Sequence, residues 1–150
     1  MYIVSSNGVN LIKNEEGCVL HPYQDKAGIW TIGIGSTFYE NGLSVKQYDS
    51  IITVERAEQL LIHFINTIVI PIINNHVRVL LNQNQVDSLS DFIYNLGSGA
   101  FIGSHLLVAI NSNAGQDAIS TEFKKWIYVN HQIDNWQIQR REKEINLFFS

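Results

Sequence analysis

Hydrophobic spacing divides this 150-residue chain into a short helical start, a stretch of β texture and a long helical remainder. Val9, Ile12 and Glu16 recur at i, i+3 and i+7 and predict one face of a helix from about Ser6 to Glu16. Ser5 or Ser6 is placed to cap its start and Gly17 to stop it. In that phase Glu16 continues the apolar face, and Glu15 lies about 100° away, as 3.6 residues per turn dictate. From Val19 to about Thr37 the period changes to two. Trp30, Ile32 and Ile34 interleave with Ile29, Thr31, Gly33 and Gly35, which puts Thr31 on the lighter face of a strand, where a ligand can approach the backbone. Asp25-Lys26-Ala27-Gly28 has the residue order of a type I turn, and Asn41-Gly42 is a second turn signal.

Helical spacing resumes at Thr53, a candidate cap, and runs through Ala57, Leu60, Leu61, Phe64, Ile65 and Ile68 to about Asn75. Pro71 is expected to kink this helix or end it early. Asn82 with Gln85 reads as a capping box for a helix through Val86, Leu89, Phe92, Ile93 and Leu96, stopped at Gly97. Shorter helices are expected over about 104–111 and 115–128, and a last one over about 136–149. The layout is α+β and mostly helical. One domain is expected, with a small β-containing lobe over about 15–52, a connecting helix over about 53–75 and an all-helical lobe over about 80–150.

Charge and cysteine usage narrow the partners. The net charge is −4, no basic run appears, and Arg140-Arg141 is offset by Glu142 and Glu144, so nucleic-acid binding by phosphate neutralisation is excluded. The same balance supplies no long-range attraction toward an anionic cell wall. The single cysteine, Cys18, rules out an internal disulfide and reads as a buried structural thiol. The apolar stretch from Leu60 to Ile73, interrupted by His63, Asn66 and Pro71, reads as too short to cross a bilayer, and the first residues lack the pattern of a signal peptide. No membrane insertion is expected. The spacing of His21, His63, His76, His105 and His131 fits no zinc pattern, so no metal or other cofactor is expected.

Candidate chemistry sits between Asn14 and Thr37. Glu16 and Asp25 stand nine residues apart, and Thr31 follows six residues later. Glycoside hydrolysis uses two placed carboxyls, one protonated to assist the leaving oxygen and one ionised to direct water or stabilise the cation. For Glu16, burial and the negative end of the helix dipole both favour the protonated form that a general acid needs. Each residue also has a plainer reading. Glu16 fits a solvated helix end, Asp25 a turn cap and Thr31 a strand former.

Taken together, Glu16-Gly17, Tyr23-x-Asp25-x-x-Gly28 and Trp30-Thr31-Ile32-Gly33-x-Gly35 resemble the phage-type lysozymes, the endolysins of glycoside hydrolase family 24. The resemblance continues through Asn82 to Leu89, through Phe92-Ile93-Tyr94-Asn95-Leu96-Gly97, through Ala100-Phe101 with Ser104 and Leu106-Leu107, and through Trp126 to Arg140-Arg141-Glu142, covering nearly the whole chain in order. It implies a lysozyme-like fold with a cleft between the lobes, and hydrolysis of the β-1,4 link between N-acetylmuramic acid and N-acetylglucosamine in peptidoglycan. Carried over by position, Glu16 is the general acid, Asp25 the second carboxylate, and Thr31 helps to hold the attacking water. The family is thought to invert, a chemistry that places the carboxyls roughly 6.5–9.5 Å apart. Gly35, Thr37, Tyr94, Asn95 and Ser104 match sugar-contacting positions, although Tyr94 and Asn95 also suit satisfied core polars. Arg140 matches an arginine that approaches the catalytic glutamate and favours its ionised form. Glu142 reads as one half of a surface or interlobe ion pair.

Three departures from the family stand out. Ser36 replaces the usual histidine and so removes a histidine–carboxylate tie. His105 replaces a small hydroxyl residue, and the stretch from Val129 to Asn135 lacks the usual glycines. The implied setting is an endolysin made in the host cytoplasm, released by a separate holin and acting as a monomer on wall glycan in the periplasm. A virion-associated or effector lysozyme is the alternative setting. A catalytically silent glycan-binding descendant of the fold is the alternative of another class.

Overall fold

A computed structural model describes residues 1–150. Helix α1, Ser6–Glu16, starts where the Ser5 hydroxyl accepts from the backbone N–H groups of Asn7 and Gly8. It ends at Gly17, whose φ of 70° turns the chain out of the helix. Its buried residues are Gly8, Ile12 and Glu15, so the face toward the core is rotated from the expected one and Glu16 lies at its edge. The glycine is the reason. A side chain on Gly8 would place Cβ 2.7 Å from both Asp87 Oδ1 and Val4 Cγ2. Asp87 cannot easily retreat, because it is fully buried and accepts from the Ser5 backbone N–H at 2.8 Å and from Gln83 Nε2 at 2.9 Å. Gly8→Ala is therefore expected to lower the melting temperature. Overpacking of about 1–3 kcal/mol matches or exceeds the gain of roughly 1 kcal/mol in helix propensity. A melting curve at or above the wild-type midpoint would contradict this close approach.

Beyond Gly17, β1 (Val19–Gln24) pairs antiparallel with β2 (Trp30–Gly33) around the Asp25 turn. Cys18, between α1 and β1, is exposed, because the chain leaves the core at Gly17; the expected buried thiol is not found. The Asn41-Gly42 turn forms, with Gly42 donating to the Tyr39 carbonyl. Ile32, Val45 and Leu60 form a small buried cluster under this part of the chain, flanked by Trp30, Tyr39 and Ile52.

Leu60 belongs to α2 (Val54–Phe64), which opens on the Thr53 hydroxyl and continues through a π turn, Ile65–Val69, into α3 (Ile70–His76). Pro71 does not end the helix. The Ile70 N–H reaches back to the Ile65 carbonyl, and this wider turn accommodates the proline ring and its missing donor. The continuous helix is 23 residues long, enough by length and composition to cross a membrane, so the expectation that it is too short is corrected. Its Leu61, Ile65, Val69, Ile70 and Ile73 pack instead into the main hydrophobic cluster.

Helix α4 (Gln83–Leu96) begins with the foreseen capping box and is central to the remainder. Every residue from Val86 to Ile93 is buried, polar ones included, between α1 and α8 (Asn135–Phe148). Around it lie α5 (Ser98–Ile102), α6 (His105–Asn111) and α7 (Gln116–Lys124). The sequence pattern missed α5 and extended α7 too far. Residues beyond Lys124 turn into a hairpin of β3 (Tyr128–Val129) and β4 (Gln132–Ile133), so this part is not all-helical. Asn130 and His131 take φ of 50° and 64°, the left-handed conformation that a tight hairpin requires and that glycine usually supplies.

Candidate active site

Register aligns three side chains of the first hairpin. Tyr23 lies directly opposite Thr31, and Asp25 follows Tyr23 by two residues, so all three project from one face. Asp25 holds the turn: its Oδ1 accepts from the N–H groups of Ala27 at 2.8 Å and Ile29 at 2.9 Å. Oδ2 takes no protein partner. The plain turn-capping role and a free carboxylate oxygen thus coexist in one side chain. Thr31 is buried and donates its hydroxyl to the Ile29 carbonyl at 2.9 Å, so toward a water it can only accept.

Glu16 meets this face from the end of α1. Its Oε1 lies 2.7 Å from Arg140 Nη1, with the glutamate side chain 23% exposed and the arginine 2%. A Cβ on Gly35 would stand 3.4 Å from Glu16 Oε2 and 3.5 Å from Tyr94 Oη, ordinary contact distances, so the loop passes close to both and glycine is favoured there by its φ of 75°. Burial raises the pKa of Tyr23 above the usual phenol value, and the charges of Glu16 and Asp25 add to it. Tyr23 therefore lies in the field of both carboxylates and remains a proton donor. Tyr94 donates its hydroxyl to the Ile34 carbonyl and stays protonated for the same reasons, burial first and then Glu16. The neighbouring Glu15 is the more deeply buried glutamate, with its carboxylate 2.5 Å from Lys143 Nζ on α8.

Arg140 is fixed from behind by Asp91, with Nε to Oδ2 at 3.0 Å and Nη2 to Oδ1 at 2.8 Å. Burial opposes its charge, but Asp91 and Glu16 outweigh burial and keep it ionised. Beside it, Arg141 bonds Glu144 at 2.6 Å, bonds Asn95 Oδ1 at 2.9 Å and lies over the Phe92 ring. The ion pair foreseen for Glu142 belongs to Glu144; Glu142 is exposed and unpaired. Burial pushes the Glu144 carboxyl well above its ordinary value; Arg141 opposes this and Asp91 reinforces it. A carboxyl whose pKa is raised on folding makes stability fall as pH rises above about 4.5, the unfolded value. Glu144→Gln is expected to flatten that decline in melting temperature between about pH 5 and 8. Equal slopes for the two proteins would show that Glu144 is ionised.

The remaining candidates separate into two regions. Gly35, Thr37 and Tyr94 line a cavity of about 180 Å³ with Ser36, Phe38 and Phe64. Ser104 lines a different groove, of about 280 Å³, with His105 and Trp126. Its hydroxyl caps α6, accepting from the Leu107 N–H and donating to the Phe101 carbonyl. Asn95 commits its carbonyl to Arg141. The largest concavity, about 480 Å³ between the N-terminal residues and α2, contains none of the candidate residues. No three His, Cys, Asp or Glu side chains are grouped to hold a metal ion. The sequence pattern did not single out Asp91, Glu144 or Phe64; the one available signal, a run of buried polar positions in α4, emerges only with the fold.

Comparison with known proteins places these features in a family. The phage lysozyme family model matches residues 13–144. The endolysin of Salmonella phage P22 is 39% identical over 150 residues, covering all of both chains. A crystal structure of a P22 lysozyme mutant superposes with a TM-score of 0.87 over the full length of both chains. The endolysin of Escherichia coli O157:H7 phage FAHEc1 gives 0.89 at 29% identity, over 99% of this chain and 94% of that one. The SAR-endolysin of Haemophilus phage HP1 is 26% identical over 138 residues, 89% of this chain and 63% of that one.

Proposed function

This chain belongs to the phage lysozyme family, and from that membership we propose how its residues divide the reaction. The protein is a glycoside hydrolase of the muramidase kind, a phage lysis enzyme that breaks peptidoglycan. Glu16 is the general acid. It protonates the oxygen of the β-1,4 bond between N-acetylmuramic acid and N-acetylglucosamine as that bond breaks. Asp25 takes a proton from a water accepted at Oδ2, and the water oxygen joins the anomeric carbon from the opposite face. Thr31 orients that water as acceptor. The reaction inverts the anomeric centre.

The observation supporting this division is the meeting of Glu16, tethered by Arg140, with the hairpin face that carries Asp25 and Thr31. Gly35, Thr37, Tyr94, Asn95 and Ser104 contact the glycan along the cleft. The chain works as one monomeric catalytic domain, with a small lobe over about 15–52, the connecting helix over about 53–75 and the helical lobe over about 80–150. It is made in the host cytoplasm, released by a separate holin and acts on the wall in the periplasm. Digestion of purified peptidoglycan tests the chemistry. New reducing ends with the α anomer appearing first are expected by NMR; the β anomer first would overturn inversion, and an anhydro-sugar product would overturn hydrolysis.

A further inference from the structure

Glu144 is a fully buried carboxyl that the reaction leaves unused. It belongs to the polar seam between α4 and α8, where Ser88 Oγ donates to the Glu144 carbonyl at 2.8 Å and Arg140 bonds Asp91. Its Oε1 accepts from Arg141 Nη2 at 2.6 Å, but its buried Oε2 has no partner, and neither has Arg141 Nε. The Asp91 carboxyl lies within hydrogen-bonding reach of Glu144. Two carboxylates cannot bond each other, whereas a proton on Glu144 Oε2 turns the contact into a hydrogen bond to Asp91 and gives the orphaned oxygen its partner. Charge balance constrains that proton. Two guanidiniums, Arg140 and Arg141, face three carboxyls, Glu16, Asp91 and Glu144. The cluster is neutral when one of the three is protonated, and net charge in a buried cluster is costly. Asp91 accepts from Arg140 at both oxygens, so the proton belongs to Glu144 or to Glu16. With the proton on Glu144, Arg140 stands between two carboxylates, and Arg141 keeps only neutral partners, among them Asn95 and the Trp126 carbonyl. With the proton on Glu16, the charges form complete pairs, Arg140 with Asp91 and Arg141 with Glu144. Nothing else packed on α8 offsets them: α7 brings the apolar Phe123, with its Glu122 tied to Lys125, and the Glu15 of α1 is tied to Lys143.

We propose that Glu16 and Glu144 share one proton across the Arg140–Asp91 bridge, and that Glu144 is a positioning residue which takes over as counter-charge of the arginines when Glu16 is protonated to act as the acid. The proposal rests on the general-acid reading of Glu16. A proton bound at Glu16 is matched by one released from Glu144 to solvent, so the charge of the cluster does not change. Glu144→Gln cannot take up the negative charge, and protonating Glu16 then leaves the cluster one charge positive. The test follows kcat against pH on purified peptidoglycan, each protein scaled to its own maximum, because kcat reports ionisations in the enzyme–substrate complex. Glu144→Gln moves the alkaline limb to lower pH by about 0.5–1 unit, less than the roughly 1–3 units of a charge in direct contact. Glu144→Asp, which can still ionise, keeps the limb nearer wild type. A merely structural role would lower activity at every pH and leave the limb in place, so superimposable limbs for wild type and Glu144→Gln would overturn the proposal. Carboxyl-carbon NMR of the wild type decides the point if Glu144→Gln does not fold. The Glu16 and Glu144 signals are then expected to show two titration steps each, at shared pH values; independent single steps would overturn the sharing. If Glu16→Gln lysed cells as well as wild type, the general-acid reading would be the one to fail, and the same titration curves would still decide whether the two carboxyls share a proton.

Discussion

Glu16→Gln is expected to reduce lysis of chloroform-treated cells by about 10²–10⁴-fold, the contribution typical of a positioned general acid, with little change in melting temperature. The amide keeps the shape of the side chain and can still accept from Arg140 Nη1, while Arg140 retains both bonds to Asp91. The transferable proton is lost and so is one of the two counter-charges of Arg140, but Asp91 remains to balance it. Glu15→Gln provides the matched control, because that carboxylate is the buried one and its partner is Lys143 on α8. It is expected to change stability little, since the half-exposed Lys143 stays hydrated without its counter-charge, while lysis persists. Turbidity loss and thermal melts on the two variants measure both effects. Lysis abolished by Glu15→Gln and retained by Glu16→Gln would exchange the roles of the two glutamates.

That control is needed because the hydrophobic spacing put Glu16 on the core face of α1, whereas the fold buries Glu15. Val9, Ile12 and Glu16 fit a helical face, and so do Gly8, Ile12 and Glu15. Glycine carries no hydrophobic signal, and the group that stabilises a buried Glu15 arrives 128 residues later in the chain. Local chemistry was legible: the Ser5 cap, the Asn82–Gln85 capping box and the Asp25 turn form where short-range hydrogen bonding predicts them. The hairpin from Tyr128 to Ile133 was not, because Asn130 and His131 adopt left-handed backbone without the usual glycine. Pro71 announced a disturbance in its helix, but its form, a π turn, depends on how α2 and α3 pack together in the core. The candidate site shows the same division. Glu16, Asp25 and Thr31 lie within one hairpin and helix end, so their spacing carries the pattern. Arg140 is fixed by Asp91, 49 residues earlier, and that pairing exists only once α4 and α8 meet.

Asp91→Ala is expected to be the most destabilising single change in the cluster beneath the cleft. Asp91 is fully buried and supplies two of the contacts that hold Arg140, which is itself 2% exposed. Without it, the guanidinium keeps only the partly exposed Glu16 as counter-charge. Breaking a buried pair by removing one partner costs about 3–5 kcal/mol, mostly the penalty of the charge left behind. For a chain of this size, at roughly 2–4 °C per kcal/mol, the melting temperature falls by roughly 6–20 °C. Replacing both partners, Asp91→Leu with Arg140→Met, removes the stranded charge and is expected to recover much of that loss. Lysis is not expected to recover with it, because Glu16 then has nothing to hold it toward the hairpin. Thermal melts and turbidity assays on the two single variants and the double separate the two consequences. A double variant as unstable as Asp91→Ala would show that lost packing, not an unpaired arginine, sets the penalty; a double variant that lysed cells normally would remove Arg140 as the tether of the acid.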